Sequence, residues 1–424
     1  MNEKKFVNFM SIWFGQLISG IGSGLTAFAL GVYAFNQTHS ATVYSLIILF
    51  AFLPPYLLKP IGGTLADRFD RRLMIIFGDL GSAVGLVFIL LMFYAGINDL
   101  WVIYTGVAFS SVFLAIQNPA YKSSVTDLLD EENYAKASGL VQLTESAKYL
   151  VSPIIAGFLM HSVKIEFILI IDIATFLLAI ITVIGVKKTM QKTDFEKPSE
   201  SFWTEFAEGF RYTFARKELM ALLLVVSLIT FFVGFLQTLI GPMILSFAKA
   251  KTLGISQTIA ASGMLVSSFF IGMFHNSTNQ LRILVWSLAV AGTFYALFGT
   301  STNIVLVTLY GFMFFTALPF INTSIEVLIR KMVDNKIQGR VWSIISLISQ
   351  LGMIIAFALA GTLADKIFNP LLQPEGALAA SVGRWIGIGN GRGIGLMFVI
   401  SGLLVILTAV AIARHKSIKK LNQV

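Results

Sequence analysis

Lys59, Glu145, Lys148, Asp172 and Glu326 interrupt stretches of sequence that are otherwise strongly apolar. Glu145 and Lys148 stand three residues apart in LVQLTESAKYL, a spacing that puts them on one face of a helix. A carboxyl group held out of water can bind and release a proton near neutral pH unless a cation pairs with it. These positions therefore offer two chemistries. One is proton uptake and release, with Glu145, Asp172 or Glu326 as the carrier. The other is a structural ion pair that never titrates. The residues alone support either.

A second group is GGTLADRFDRR at 62–72, where Gly63, Asp67, Arg68, Arg71 and Arg72 interleave acid and base. Asp67 is placed to meet the unpaired N–H groups at the start of a neighbouring helix. Asp127 stands where Arg71 can pair with it. Such contacts would make a breakable latch. The simpler alternative is a basic loop that only marks topology.

The elements that carry these residues follow from composition. The chain has 424 residues, 56% of them hydrophobic and 12% charged, with mean hydropathy +0.81. Soluble domains carry roughly 25% charged residues, so most of this chain belongs in lipid. The net charge of +9 fits Lys and Arg in cytoplasmic loops better than a nucleic-acid surface. With no Cys, disulfides, zinc-thiolate sites and a cysteine nucleophile are excluded. The run from about Phe9 to Phe35 is too long for a signal peptide and reads as a first span.

A span needs about 20 apolar residues. Twelve are predicted, at 8–35, 43–66, 71–95, 100–127, 134–161, 165–186, 218–247, 254–276, 281–300, 303–331, 337–366 and 393–414. A β-barrel is excluded, because its strands would be about ten residues of alternating polarity. With the N-terminus inside, 23 Lys and Arg fall inside and six outside, which puts both termini in the cytoplasm. At 1.5 Å per residue, Lys148 and Asp172 both lie about 20 Å from the inner ends of their spans, and Lys59 and Glu326 about 10 Å.

The longest polar stretch divides the chain into residues 1–186, a linker at 187–217 and residues 218–424. Within the linker Phe202, Phe206, Phe210 and Phe214 recur every four residues opposite Glu205, Glu208, Arg211 and Lys217. That pattern predicts an amphipathic interfacial helix, either a strap between the halves or a helix packed on one of them. The halves repeat weakly at a spacing of about 200 residues. GTLAD also occurs twice, closing the second span at the cytoplasm and the eleventh outside. Its small residues allow close helix approach, and each Asp marks a water boundary.

GGTLADRFDRR after a second span, twelve spans in two sets of six and a long middle loop resemble the major facilitator superfamily. Asp70 replaces that motif's second Gly. SIWFGQLIS, FLPPYLLKPIGGTLADRFDRRLMIIFGDL, YLVSPIIAG and GRVWS resemble its macrolide-efflux and enterobactin-exporter branch. The antiporter signature on span 5 survives only as Ser152-Pro153-Ile-Ile-Ala156-Gly157. The resemblance implies an all-α integral membrane protein of two pseudo-symmetric six-helix bundles, working by alternating access. It also implies that spans 1, 4, 7 and 10 line a central cavity, making Gln16, Gln117, Asn118, Gln237 and Asn322 substrate-contact candidates. Thirty-seven Phe and eleven Tyr would supply apolar walls suited to a lipophilic compound rather than a sugar.

The reading is thus a monomeric, multi-pass transporter of the bacterial plasma membrane. It would export lipophilic or amphiphilic compounds against protons, contacting lipid and no nucleic acid, with no cofactor or metal. Export of a specific siderophore, peptide or lipid remains open, as does a sensor with a transporter's fold. An enzyme is not indicated: no H-E-x-x-H, G-x-S-x-G or Walker sequence occurs. GIGNGRGIG at 387–395 does not fit a nucleotide-binding loop and reads as an outer turn.

Overall fold

A computed structural model describes residues 2–186, 202–274, 279–333 and 337–414. A few side chains within these ranges, those of Asp67, Arg68, Phe202, Glu205, Phe206 and Lys217 among them, lie outside the described residues, as does the linker at 187–201. The described residues are helical, with no strand.

The first half contains α1 (Asn2–Thr38), α2 (Ala41–Arg68), α3 (Arg71–Tyr94), α4 (Leu100–Leu128), α5 (Tyr134–Leu150), α6 (Ser152–Ser162) and α7 (Ile165–Val186). Then come the short α8 (Phe202–Ala215), α9 (Lys217–Leu245), α10 (Ala250–Phe274), α11 (Gln280–Thr300), α12 (Ile304–Met332) and α13 (Gln338–Leu363). Two brief turns, α14 (Asn369–Leu371) and α15 (Gly383–Ile386), precede α16 (Arg392–Arg414).

Eleven of these helices are long and apolar enough to cross a bilayer. The remaining predicted span, the fifth at 134–161, forms two helices broken at Val151. Pro153 has no N–H to donate back to the preceding turn, so the ladder is interrupted there. α5 also carries Lys136, Gln142, Glu145 and Lys148, which keeps it well below the apolarity of its neighbours.

The chain divides into two compact units. One comprises residues 1–39, 46–197 and 250–255, the other 40–45, 198–249 and 256–424. In the first unit α3 packs on α4 and α7, and α1 packs on α5, α6 and α7. In the second, α11 packs on α12 and α16, and α9 packs on α13 and α16. These are the same pairings at corresponding spans, so the weak sequence repeat is a structural one. Close approach depends on small residues: a Cβ on Gly299 of α11 would collide with the Gly395 carbonyl of α16.

α8 packs on α13 within the second unit, which favours the packed-helix reading over the strap. Arg340 of α13 donates to the Glu208 carboxylate, and Thr213 is buried. Phe210 and Phe214 stack at 4.1 Å and stay exposed.

Candidate functional site

The loop between α2 and α3 is built by one cap and one bridge. Asp70 caps α3 by accepting from the Arg72 backbone N–H at 3.0 Å and from Arg72 Nε at 2.9 Å. Partial burial pushes the Asp70 carboxyl up, but the hydrogen bonds and charge of Arg72 outweigh it and hold it below its usual value. Arg71 Nη1 donates to Asp127 Oδ1 of α4 at 2.7 Å and to the Ser123 carbonyl at 3.0 Å, and its Nε donates to the Ala66 carbonyl at 3.2 Å. One guanidinium thus ties the ends of α2 and α4 to the start of α3. Arg72 serves the cap instead.

Inside the first unit a cavity of about 80 Å³ lies among α1, α3, α4, α5 and α7. Gln16, Gln117, Asn118, Glu145 and Lys148 line it, and so does Asp79 of α3. Gln16 Nε2 donates to Asp79 Oδ2 at 2.9 Å, and Gln117 Nε2 donates to Gln16 Oε1 at 2.5 Å. Gln16, Gln117 and Asp79 are buried, whereas Asn118 is exposed.

The charged candidates separate. Glu145 is partly exposed, and its ion partner is Lys122 of α4 at 3.8 Å. Asp172 is fully buried, and its Oδ1 accepts from Thr175 Oγ1 at 3.3 Å. Lys148 makes no ion pair with Asp172 among the described residues, although both stand at similar depth. Glu326 pairs with Arg330 one turn on at 2.6 Å, both about half exposed. Lys59 is exposed in the C-terminal half of α2. In the second unit Gln237 and Asn322 are exposed.

Two participants escaped the sequence reading. Asp79 was legible in principle, as an acid inside the apolar run at 71–95. The second is Asp365. It accepts from Ser40 Oγ at 2.6 Å, from the Ala41 and Thr42 N–H groups at 3.1 and 2.8 Å, and from Thr42 Oγ1 at 2.8 Å. It therefore caps the N-terminus of α2 from across the sequence and does more than mark a water boundary. Gly361, one turn back, sits where a Cβ would strike Ser45.

A bundle of apolar helices in two repeated halves, with buried polar groups gathered around a small cavity, defines a membrane transporter rather than an enzyme. The sequence model of the Major Facilitator Superfamily matches residues 12–357, so the chain belongs to that family. It is 28% identical to Macrolide efflux protein A of Streptococcus pyogenes over 98% of both chains. It is 23% identical to the Multi-drug resistance efflux pump PmrA of Streptococcus pneumoniae, over 82% of this chain and 87% of that one. Among solved structures it superposes on the nucleoside transporter NupG with a TM-score of 0.71, at 12% identity and over 96% and 100% of the two chains. That likeness concerns the fold alone.

Proposed function

We propose that this protein exports lipophilic or amphiphilic compounds of the macrolide type, exchanging them for protons by alternating access. The observation that carries the proposal is the likeness to Macrolide efflux protein A, which runs over 98% of both chains. Residues 1–186 and 218–424 act as the two moving halves, joined by 187–217, in a monomer of the plasma membrane with both termini in the cytoplasm. The bias of Lys and Arg supports that orientation.

Arg71 and Asp127 form part of a cytoplasmic latch, to which Gly63, Asp67, Arg68 and Arg72 contribute and which breaks in the cycle. Asn118, Gln237 and Asn322 are the exposed substrate-contact candidates, whereas Gln16 and Gln117, also expected to contact substrate, are buried and bonded to each other. Glu145, Lys148, Asp172, Glu326 and Lys59 are the coupling candidates. Of these Asp172 has the geometry best suited to holding a proton, since it is buried and has no cation paired with it among the described residues.

The test is a compound panel in bacteria deprived of their own pumps. Macrolides, other lipophilic drugs, siderophores and peptides are compared with and without the protein. Selective protection against macrolides that collapses on adding a protonophore is the expected result. Protection that survives the protonophore defeats proton coupling, and no protection against any lipophilic compound defeats the substrate class.

A further inference from the structure

Asp79 is 1% exposed in the interior of α3. Its Oδ2 accepts from Gln16, while its Oδ1 is buried and has no hydrogen-bond partner among the described residues. No Lys, Arg or His stands within ion-pair distance of it among those residues. A charged group inside a membrane span is costly, and a carboxyl without a cation is costlier still. An amide would fill the same space and accept the same bond without that cost. The chain nevertheless keeps an acid there.

The surroundings are built around that acid. Gly78 leaves room for Gln117, whose side chain a Cβ at 78 would strike, so α4 comes in close beside Asp79. Gln117 donates to Gln16 Oε1, which turns the Gln16 N–H group toward Asp79. That arrangement serves both charge states. Oδ2 accepts from Gln16 whether the carboxyl is ionised or protonated, and Oδ1 is left as the place for a proton.

The cavity decides what the ligand is. A drug-sized ligand needs roughly 300–1,000 Å³. At about 80 Å³ the space beside Asp79 holds a few waters and a proton, not a substrate. Other titratable groups facing it are Tyr121 of α4 and Glu145 and Lys148 of α5. Glu145 has Lys122 for a partner. Asp172 comes from α7, which also packs on α3, and is held by Thr175.

We infer that Asp79 is a proton-carrying carboxyl of the transport cycle, with Gln16 and Gln117 as its positioning residues. A hydronium ion in the cavity delivers the proton: one of its O–H bonds breaks as an O–H bond forms at Oδ1, leaving a water, and on release the Oδ1–H bond breaks as the proton passes to a cavity water. The inference rests on the reading of proton-driven export, and its test is separable from that reading.

Infrared titration of the purified full-length protein reads the carboxyl C=O band as pH changes. Asp79→Asn should remove one pH-dependent component. Asp79→Glu should restore a displaced one. Gln117→Ala should shift its midpoint while thermal melting stays close to wild type. In vesicles, with a radiolabelled macrolide as probe, Asp79→Asn should lose transport driven by a pH gradient yet retain exchange. A pH-dependent band unchanged in Asp79→Asn overturns the inference, and so does gradient-driven transport at the wild-type rate in that variant. A wild-type protein that shows the Asp79 component but no gradient-driven macrolide transport overturns the export reading and leaves the proton site standing.

Discussion

Among the contacts of the described residues Arg71 meets Asp127 and two carbonyl oxygens. That fork geometry separates it from a generic basic residue. Arg71→Lys keeps the positive charge that sets topology but cannot reach Asp127 and both carbonyls together. It should insert normally and transport poorly, whereas Arg71→Ala should also lose about 1–3 kcal/mol of stability by removing a charged hydrogen bond to Asp127. Vesicle transport per folded molecule, with detergent melting as the control, checks both. Equal transport in Arg71→Lys and wild type would reduce the loop to a topology signal. Asp70 has a simpler role. Its folded value is depressed, so its contribution is present above the unfolded value near 3.8 and disappears as pH falls through the lower folded one. Asp70→Asn should flatten that acid-side decline in melting temperature, and an unaltered decline would assign it to other carboxylates.

At the scale of helices, the ends are held by long-range caps. Arg392 is buried at the start of α16, with no carboxylate paired to it among the described residues. Its guanidinium donates to the Gly299 carbonyl at 2.7 Å, to that of Ser301 at 3.4 Å and to that of Ile386 at 2.7 Å. The first two lie at the C-terminal end of α11, where unpaired carbonyls and the helix dipole favour a cation. Gly387, Gly389 and Gly391, all at positive φ, turn the preceding loop so that it meets this side chain. Arg392→Met preserves bulk but not the donors and should cost about 1.5–3 kcal/mol of stability in detergent. Asp365 caps α2 in the mirror sense, as a carboxylate at a helix N-terminus. Asp365→Asn should cost about 1 kcal/mol, with transport changing more than melting if the cap must open in the cycle. A variant unaltered in both would make the cap incidental.

For the whole molecule, orientation is the property on which export depends. The chain contains no Cys, so single cysteines can report it. Cysteine at Asn98, exposed between α3 and α4, and at Glu375, between α14 and α15, should react with an impermeant reagent in intact cells. Cysteine at Ser199 in the central linker should react only after lysis. Labelling of Ser199 from outside would invert the topology and turn the proposed exporter into an importer.

Span number, the two-unit repeat and the family were all legible without coordinates, because each rests on quantities local to the sequence. Apolar length sets a span, the charge bias of loops sets orientation, and GGTLADRFDRR is contiguous. The span at 134–161 reads as unbroken, although Pro153 and the polar run before it are the signal for the break at Val151. The Arg71–Asp127 pair was legible as well, but which charges inside the spans are paired was not. Lys148 and Asp172 share a depth, but depth does not give azimuth, and the partner of Glu145 is Lys122 on another helix. Asp79 and Asp365 were visible as letters, yet their roles come from Gln16, Gln117, Ser40 and Thr42, which lie 38 to 325 residues away. Hydropathy assigns a residue to the membrane; only the rotation and close packing of helices decide whether its side chain meets lipid, a partner or a buried cavity.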